Sequence, residues 1–322
     1  MSKLVAVGLV VAAVAMLLGG CGSGNDQVIF QWVYERACWN PAATRLAFES
    51  TGANGVRYVY SISNTGSNLT LLTPTDNDDD LTDEGGKQPA WSPDGTDLAI
   101  VARRGGTQAL FLIDPLLGAG RRETQITTDD DAVPGADAQP SWKPDSTQIV
   151  YVSTKNSPTG RWEIWIVNRD GTNPTLVART NDATDAQWPV FSPDGLSIIY
   201  QSRIEGIGVD TALRSVNIAT GVTTPIGDTE GNNFREGAPS VVNTATGVMV
   251  AYSSNRNGDF DIWTMKLDGT GAVAVTDDSR SDGYPTWTAT GDRIAFTRDN
   301  EVWTIAADGS DPRQITERYK ND

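Results

Sequence analysis

Histidine is absent from this 322-residue chain. That gap excludes Ser-His-Asp and Cys-His catalytic arrangements and any His-ligated zinc centre. Cysteine is almost as scarce. Cys21 and Cys38 are the only two, too few for a disulfide framework. No Gly-x-Ser-x-Gly elbow occurs, and no phosphate-cradling glycine motif. Positive charge is in short supply: 25 Lys and Arg stand against 41 Asp and Glu, a net charge of −16. Such a balance disfavours nucleic acid as a partner. After residue 20 there is no long helical periodicity. Carboxylate-pair glycosidase chemistry stays open because acids are plentiful, but no spacing selects a pair.

What is present is a repeated phrase. Gln88-Pro89-Ala90-Trp91-Ser92-Pro93-Asp94-Gly95 returns as Gln139-Pro140-Ser141-Trp142-Lys143-Pro144-Asp145-Ser146 and as Trp188-Pro189-Val190-Phe191-Ser192-Pro193-Asp194-Gly195. Worn copies stand at Ala37-Cys38-Trp39-Asn40-Pro41, Ala238-Pro239-Ser240-Val241 and Tyr284-Pro285-Thr286-Trp287. Measured between positions 39, 91, 142, 191, 241 and 287, the steps are 52, 51, 49, 50 and 46 residues. A period near 50 indicates a repeat architecture.

Each anchor is followed by alternating apolar runs of strand length, such as Gln148-Ile149-Val150-Tyr151-Val152 and Glu163-Ile164-Trp165-Ile166-Val167. Gly-containing breaks separate them. Ser-Pro-Asp-Gly suits a tight turn: Pro fixes its own φ, Asp bonds nearby backbone, and Gly accepts a positive φ. Asp170-Gly171, Asp268-Gly269 and Asp308-Gly309 repeat the device later in the unit. The sum is four strands and three turns per repeat. The expected fold class is all-β, a six-bladed β-propeller of four-stranded antiparallel blades. Trp39, Trp91, Trp142, Phe191 and Trp287 fall where neighbouring blades press together. Each buries roughly 150–250 Å², about 4–6 kcal/mol gross as an upper bound. Val241 takes that place in blade five, so the packing there is expected to be the loosest.

These phrases resemble the repeats of TolB-like six-bladed propellers, over about residues 37–316. The resemblance implies the fold more specifically than it implies a function. Blade one departs from it with Asn40-Pro41-Ala42-Ala43, blade five with Asn243-Thr244-Ala245-Thr246-Gly247, and blade six with Thr288-Ala289-Thr290-Gly291. In blade four Leu213-Arg214 replaces an aromatic pair and leaves the register open. TolB itself carries a separate N-terminal α/β domain, for which residues 22–36 leave no room, so roles of that domain are not carried over. Propellers also resemble lyases of acidic sugars, whose histidine-rich metal sites this chain cannot assemble. The expected layout is 1–20 signal peptide, 21–36 lipidated N-terminus, linker and closing strand, and 37–322 propeller. Gln27–Trp32 reads as an extra strand that closes the last blade or begins the first, and the final Arg313–Thr316 strand competes for the same edge.

Lys3, the apolar run Leu4–Leu18 and the small residues before Cys21 make an export signal. The run is shorter than the ~20 residues a membrane span needs. Leu18-Gly19-Gly20-Cys21 resembles a bacterial lipobox, which implies lipidation of Cys21 and a place in the cell envelope: the periplasmic side of the outer membrane in a Gram-negative cell, or the cell surface. Cys38, beside Trp39, reads as a small core residue.

The acids are unevenly placed. Segments 75–88, 128–138, 180–187, 227–237 and 276–283 join one blade to the next. They hold 18 of the 41 carboxylates, and their only bases are Lys87, Arg235 and Arg280. In a propeller these connections share a face with the turns between second and third strands, which carry Arg103, Arg104, Lys155, Arg203, Arg256 and Arg298. The expected binding face is therefore an acidic rim, including Asp78, Asp79, Asp80, Asp129, Asp130 and Asp131, with those bases among it. Pairing of acids with bases for solubility is the plainer reading. Recognition of a basic or mixed-charge envelope protein is the sharper one. An EF-hand starting at Asp76 fails, because Leu81 and Lys87 stand where Gly and Glu are required. No cofactor is expected, with a face-bridging Ca²⁺ as the alternative. The function expected is a non-enzymatic, monomeric envelope scaffold. A carbohydrate- or small-ligand-binding propeller with residual hydrolase or lyase activity is the alternative.

Overall fold

A computed structural model describes residues 36–51, 56–73, 84–104, 107–115, 123–128, 135–155, 157–178, 184–204, 211–227 and 234–316. Blade one is β1–β4 (Cys38–Trp39, Arg45–Thr51, Arg57–Ser63, Thr70–Leu71) and blade two is β5–β8 (Glu84–Trp91, Leu98–Arg104, Thr107–Ile113, Thr124–Gln125). Blade three is β9–β12 (Asp137–Trp142, Gln148–Ser153, Glu163–Asn168, Thr175–Ala178) and blade four is β13–β16 (Thr184–Phe191, Ser197–Ile204, Thr211–Asn217, Thr223–Pro225). Blade five is β17–β20 (Glu236–Thr244, Gly247–Ser254, Asp261–Lys266, Val273–Ala274) and blade six is β21–β24 (Asp282–Trp287, Arg293–Arg298, Glu301–Ala306, Arg313–Gln314). Each sheet joins four strands that are consecutive in the sequence. The fold is an all-β six-bladed propeller, and the described residues contain no helix.

The anchors pack where their positions predict. Trp39 joins Phe48, Ile62, Ala295 and Val302 at the seam between blades one and six. Trp91 and Trp142 fill the next two seams. Phe191 and Trp287 fill those before blades four and six. Blade five's Val241 is only partly buried and packs against a cluster that includes Tyr252, Trp263 and Met265. Leu213, whose register the sequence leaves open, pairs with Gln201 and is fully buried in that same seam.

Among the described residues no strand is exchanged between the first and last blades. Arg313–Gln314 is blade six's own outer strand, paired to Thr304 and Trp303. The Gln27–Trp32 strand lies outside the described residues, as does Cys21.

The turns work by side-chain acceptors. Asp94 Oδ1 accepts from Ser92 Oγ at 2.6 Å and from the Thr96 backbone at 3.1 Å, while Gly95 sits at φ 74°. In blade one Asn40 replaces this device, accepting from the backbone of Thr44 and Arg45 at 2.9 Å each. A second recurring device closes the outer edge of blades one, two, five and six. Thr73, Thr127, Thr276 and Thr316 accept through Oγ1 from the backbone N–H of Val59, Leu110, Ile262 and Val302, at 2.8–3.1 Å.

Candidate functional site

The innermost strands line a central channel, and a backbone irregularity shapes its wall. Arg36, Gln88, Gln139, Trp188, Ala238 and Tyr284 occupy equivalent places, each at a left-handed φ of 49–62°. Five of them precede a proline, and Ala37 follows the sixth. Proline cannot donate to the ladder, and register shifts mark the bulge at this point, as between Gln187 and Val190, Gly237 and Ser240, and Gly283 and Thr286. A left-handed non-glycine residue costs of order 1–3 kcal/mol unless its surroundings fix it.

At four of these places the preceding blade fixes it. Glu49 Oε2 accepts from the Gln88 backbone at 2.7 Å. Gln88 Oε1 accepts from Gln139 N at 2.8 Å, and Gln139 Oε1 from Trp188 N at 2.6 Å. Gln201 Oε1 accepts from Ala238 N at 3.1 Å. A Cβ at Gly237 would fall 2.1 Å from Gln201 Oε1, so a side chain there would push Gln201 off this bond.

Trp188, Ala238 and Tyr284 line two chambers at once, one of about 420 Å³ and one of about 740 Å³. They therefore form a waist. The Trp188 and Tyr284 rings meet edge to face at 5.2 Å, and the Arg36 guanidinium lies 5.0 Å over Trp188. Burial lowers the Arg36 pKa, and its Nη1 has no hydrogen-bond partner. The smaller chamber opens toward the Ser-Pro-Asp-Gly turns, past Pro93, Pro144 and Pro193. Cys38 lines it half-buried, its thiol pushed up to about 12, chiefly by burial. The larger chamber opens toward the face that carries the interblade connections.

On that face the bases predicted from sequence divide into two groups. Lys155 pairs with buried Asp137 at 2.8 Å. Arg256 pairs with buried Glu236 and lies 4.6 Å over Trp263. Arg298, only 4% exposed, bonds Asp282 Oδ1 at 2.6 Å and reaches Asp278 at 3.1 Å. Arg104 holds Glu123 through two bonds of 2.8 and 3.0 Å. Arg103 and Arg203 are exposed and have no ion pair among the described residues. Asp78, Asp79, Asp80, Asp129, Asp130 and Asp131 lie outside the described residues. Asp261 is 1% exposed. Burial, and then Asp259, Asp282 and Asp277, raise its pKa to about 6. Among the described residues no group of three or more Cys, Asp or Glu could hold a metal ion.

Sequence reasoning missed three things: the left-handed ring, the buried acid that receives each base, and the edge threonines. A signal existed for each. The x-Pro step repeats, Asp137, Glu236 and Asp282 precede their bases by 18, 20 and 16 residues, and Thr closes the last run of several repeats.

The TolB beta propeller domain family (PD40) matches residues 82–214 and 146–322. The chain belongs to that family. A relative described as uncharacterized protein Atu1656 of Agrobacterium fabrum is 26% identical over 208 residues, 65% of this chain and 64% of that protein. The solved structure of a TolB described as putative, from Agrobacterium tumefaciens, superposes with a TM-score of 0.58 at 21% identity, covering 71% of this chain and 80% of that one. An oligogalacturonate lyase in complex with manganese superposes with a TM-score of 0.59 at 13% identity, covering 87% and 76%. At such identities the likeness is one of fold. The TolB propeller fold thus carries enzymes as well as proteins described by other names.

Proposed function

We propose that this TolB-family propeller is a non-enzymatic cell-envelope lipoprotein that binds a protein partner through its acidic-rimmed loop face. One observation carries the reading. Arg104, Lys155, Arg256 and Arg298 are each held by a carboxylate of their own blade or of the connection beside it. These pairings engage Asp137, Glu236, Asp278 and Asp282, whereas the interblade segments as a whole carry 18 carboxylates against three bases, so the face keeps a large negative excess. A field of one sign steers an oppositely charged partner, here a basic or mixed-charge segment. The lipid at Cys21 anchors the propeller to the membrane and presents that face in the envelope. Absence of histidine supports the non-enzymatic reading, since neither a His-based nucleophile nor a His-ligated metal can be built.

Crosslinking of the full-length chain in intact cells, followed by mass spectrometry of the captured proteins, tests this. A recurrent envelope protein joined to the connection-bearing face is the expected result. Crosslinks scattered over both faces, or none that weaken with added salt, would sink it.

A further inference from the structure

The larger chamber holds two cations that the pairing pattern leaves over. Arg203, near the end of β14, is the cross-strand partner of Thr211 on β15. Thr211 in turn bridges Arg235, at the entry to blade five. All three line the larger chamber. Cross-strand neighbours stand about 4.5–5.5 Å apart, so the two arginines flank Thr211 at a separation of roughly 10 Å between backbones. Neither has an ion pair or hydrogen bond from its guanidinium among the described residues, and both are exposed. Asp185 is the residue opposite Arg203, but its carboxylate is directed to the Trp162 backbone at 3.1 Å and toward Arg161 at 3.9 Å.

The neighbouring amides set the polarity of the wall. Gln139 Oε1 accepts from Trp188 N, Gln187 Oε1 from Gln201 Nε2 at 3.3 Å, and Gln201 Oε1 from Ala238 N. Every one of these carbonyl oxygens is occupied by a protein donor. Gln139 and Gln187 keep their NH₂ groups, which add donors to this side of the chamber. Two of the carboxylates at the chamber, Glu236 and Asp282, are held by Arg256 and Arg298. Asp299 stands exposed at the opposite edge.

The corresponding row between blades two and three serves as an internal comparison. There Arg103 pairs with Gln108, and Gln108 bridges Ala136. The second cation is missing, and Gln108 Nε2 is tied to the Asp137 carbonyl at 2.9 Å. In blade six the base is neutralised by Asp282. The unpaired Arg-Thr-Arg row therefore belongs to the seam between blades four and five among the described residues.

We infer that the larger chamber binds a small, acceptor-rich anion of sugar size, gripping its carboxylate or phosphate between Arg203 and Arg235 while its body rests on the Trp188–Tyr284 waist. Guanidinium forks match both oxyanions in a bidentate manner. A volume of about 740 Å³ falls within the ordinary range of small-ligand sites, and an aromatic floor beneath donors suits a polyhydroxylated ring. The site lies on the same face but draws on its arginines and not on the rim carboxylates, so its failure would leave the partner-binding reading intact.

Titration calorimetry on the full-length chain tests it with three probes: glucuronate, glucose 6-phosphate and glucose. Saturable binding of at least one anion, about tenfold or more tighter than glucose, is expected. Binding by only one of the two anions identifies the oxyanion. Arg203→Gln and Arg235→Gln should each weaken that binding by about tenfold or more, with an unchanged melting temperature because both side chains are exposed. Arg103→Gln, the equivalent change in blade two, should leave it unaltered. The proposal is overturned if neither anion binds, if glucose binds equally well, or if Arg103→Gln weakens binding as much as Arg203→Gln.

Discussion

The side-chain carbonyl of Gln139 accepts a hydrogen bond from the backbone N–H of Trp188 at 2.6 Å, across the seam between blades three and four. The bond holds Trp188 at a left-handed φ of 53° and so sets the waist of the channel. Gln139→Leu strands that N–H and should cost about 1–3 kcal/mol in urea unfolding. Gln139→Glu keeps the acceptor and should lose less.

The Cys38 thiol, raised to about 12 by burial, should be inert. In a Cys21→Ser variant, where Cys38 is the only thiol, a disulfide reagent at pH 8 should label the folded chain about a hundredfold or more slowly than the urea-unfolded chain. Equal rates would place the thiol in solvent.

Asp261 should make the protein less stable at neutral pH than in mild acid. Its folded pKa of about 6 stands above the unfolded value of roughly 3.9, so folding takes up a proton. The resulting stability is fully present below about pH 4 and is lost as pH rises through 6. Asp282 is also raised, first by burial, and acts in the same direction. Surface aspartates such as Asp308, lowered by the Ser310 hydroxyl, act in the opposite sense, their stability being lost in acid. Asp261→Asn should therefore stabilise the protein by about 1–2 kcal/mol at pH 7 and by little at pH 4. Thermal melts across that range check it. A gain of equal size at both pH values would refute the assignment.

If the acidic rim recruits a partner, the triple change Asp78→Lys, Asp79→Lys and Asp80→Lys should weaken capture about tenfold at low ionic strength, with the difference shrinking in added salt. Equal capture by both forms at every salt concentration would assign those acids to solubility.

Lipidation is checked by cell fractionation. Wild-type protein should sediment with membranes and incorporate labelled fatty acid, while Cys21→Ser should take up none of the label.

The architecture was legible because it is written six times. Trp39, Trp91, Trp142, Phe191 and Trp287 recur at the seams they fill, and a single worn copy such as Val241 does not obscure the count. The channel was less legible. A proline step is visible in Gln139-Pro140, but periodicity does not show that its backbone turns left-handed or that the preceding blade supplies the acceptor. The charges were legible only as a regional sum. Arg298 and Arg203 look alike in sequence, each an arginine ending a second strand. They differ because Asp282 receives one, whereas Asp185 turns away from the other toward blade three. Such partner choices depend on cross-strand register, which fixes pairs far apart in the chain.

Among the described residues the seam between blades one and six is closed by side-chain packing, and the described chain enters at an innermost strand and leaves at an outermost one. Tension applied through a lipid tether on the N-terminal side would act on the hub at Arg36–Trp39, shearing a short buried strand whose tryptophan is wedged in the closing seam. Tension from the other end would peel Arg313–Gln314 from the rim one bond at a time. The described propeller therefore has a strong end and a weak end, and the proposed lipid at Cys21 would pull on the strong one.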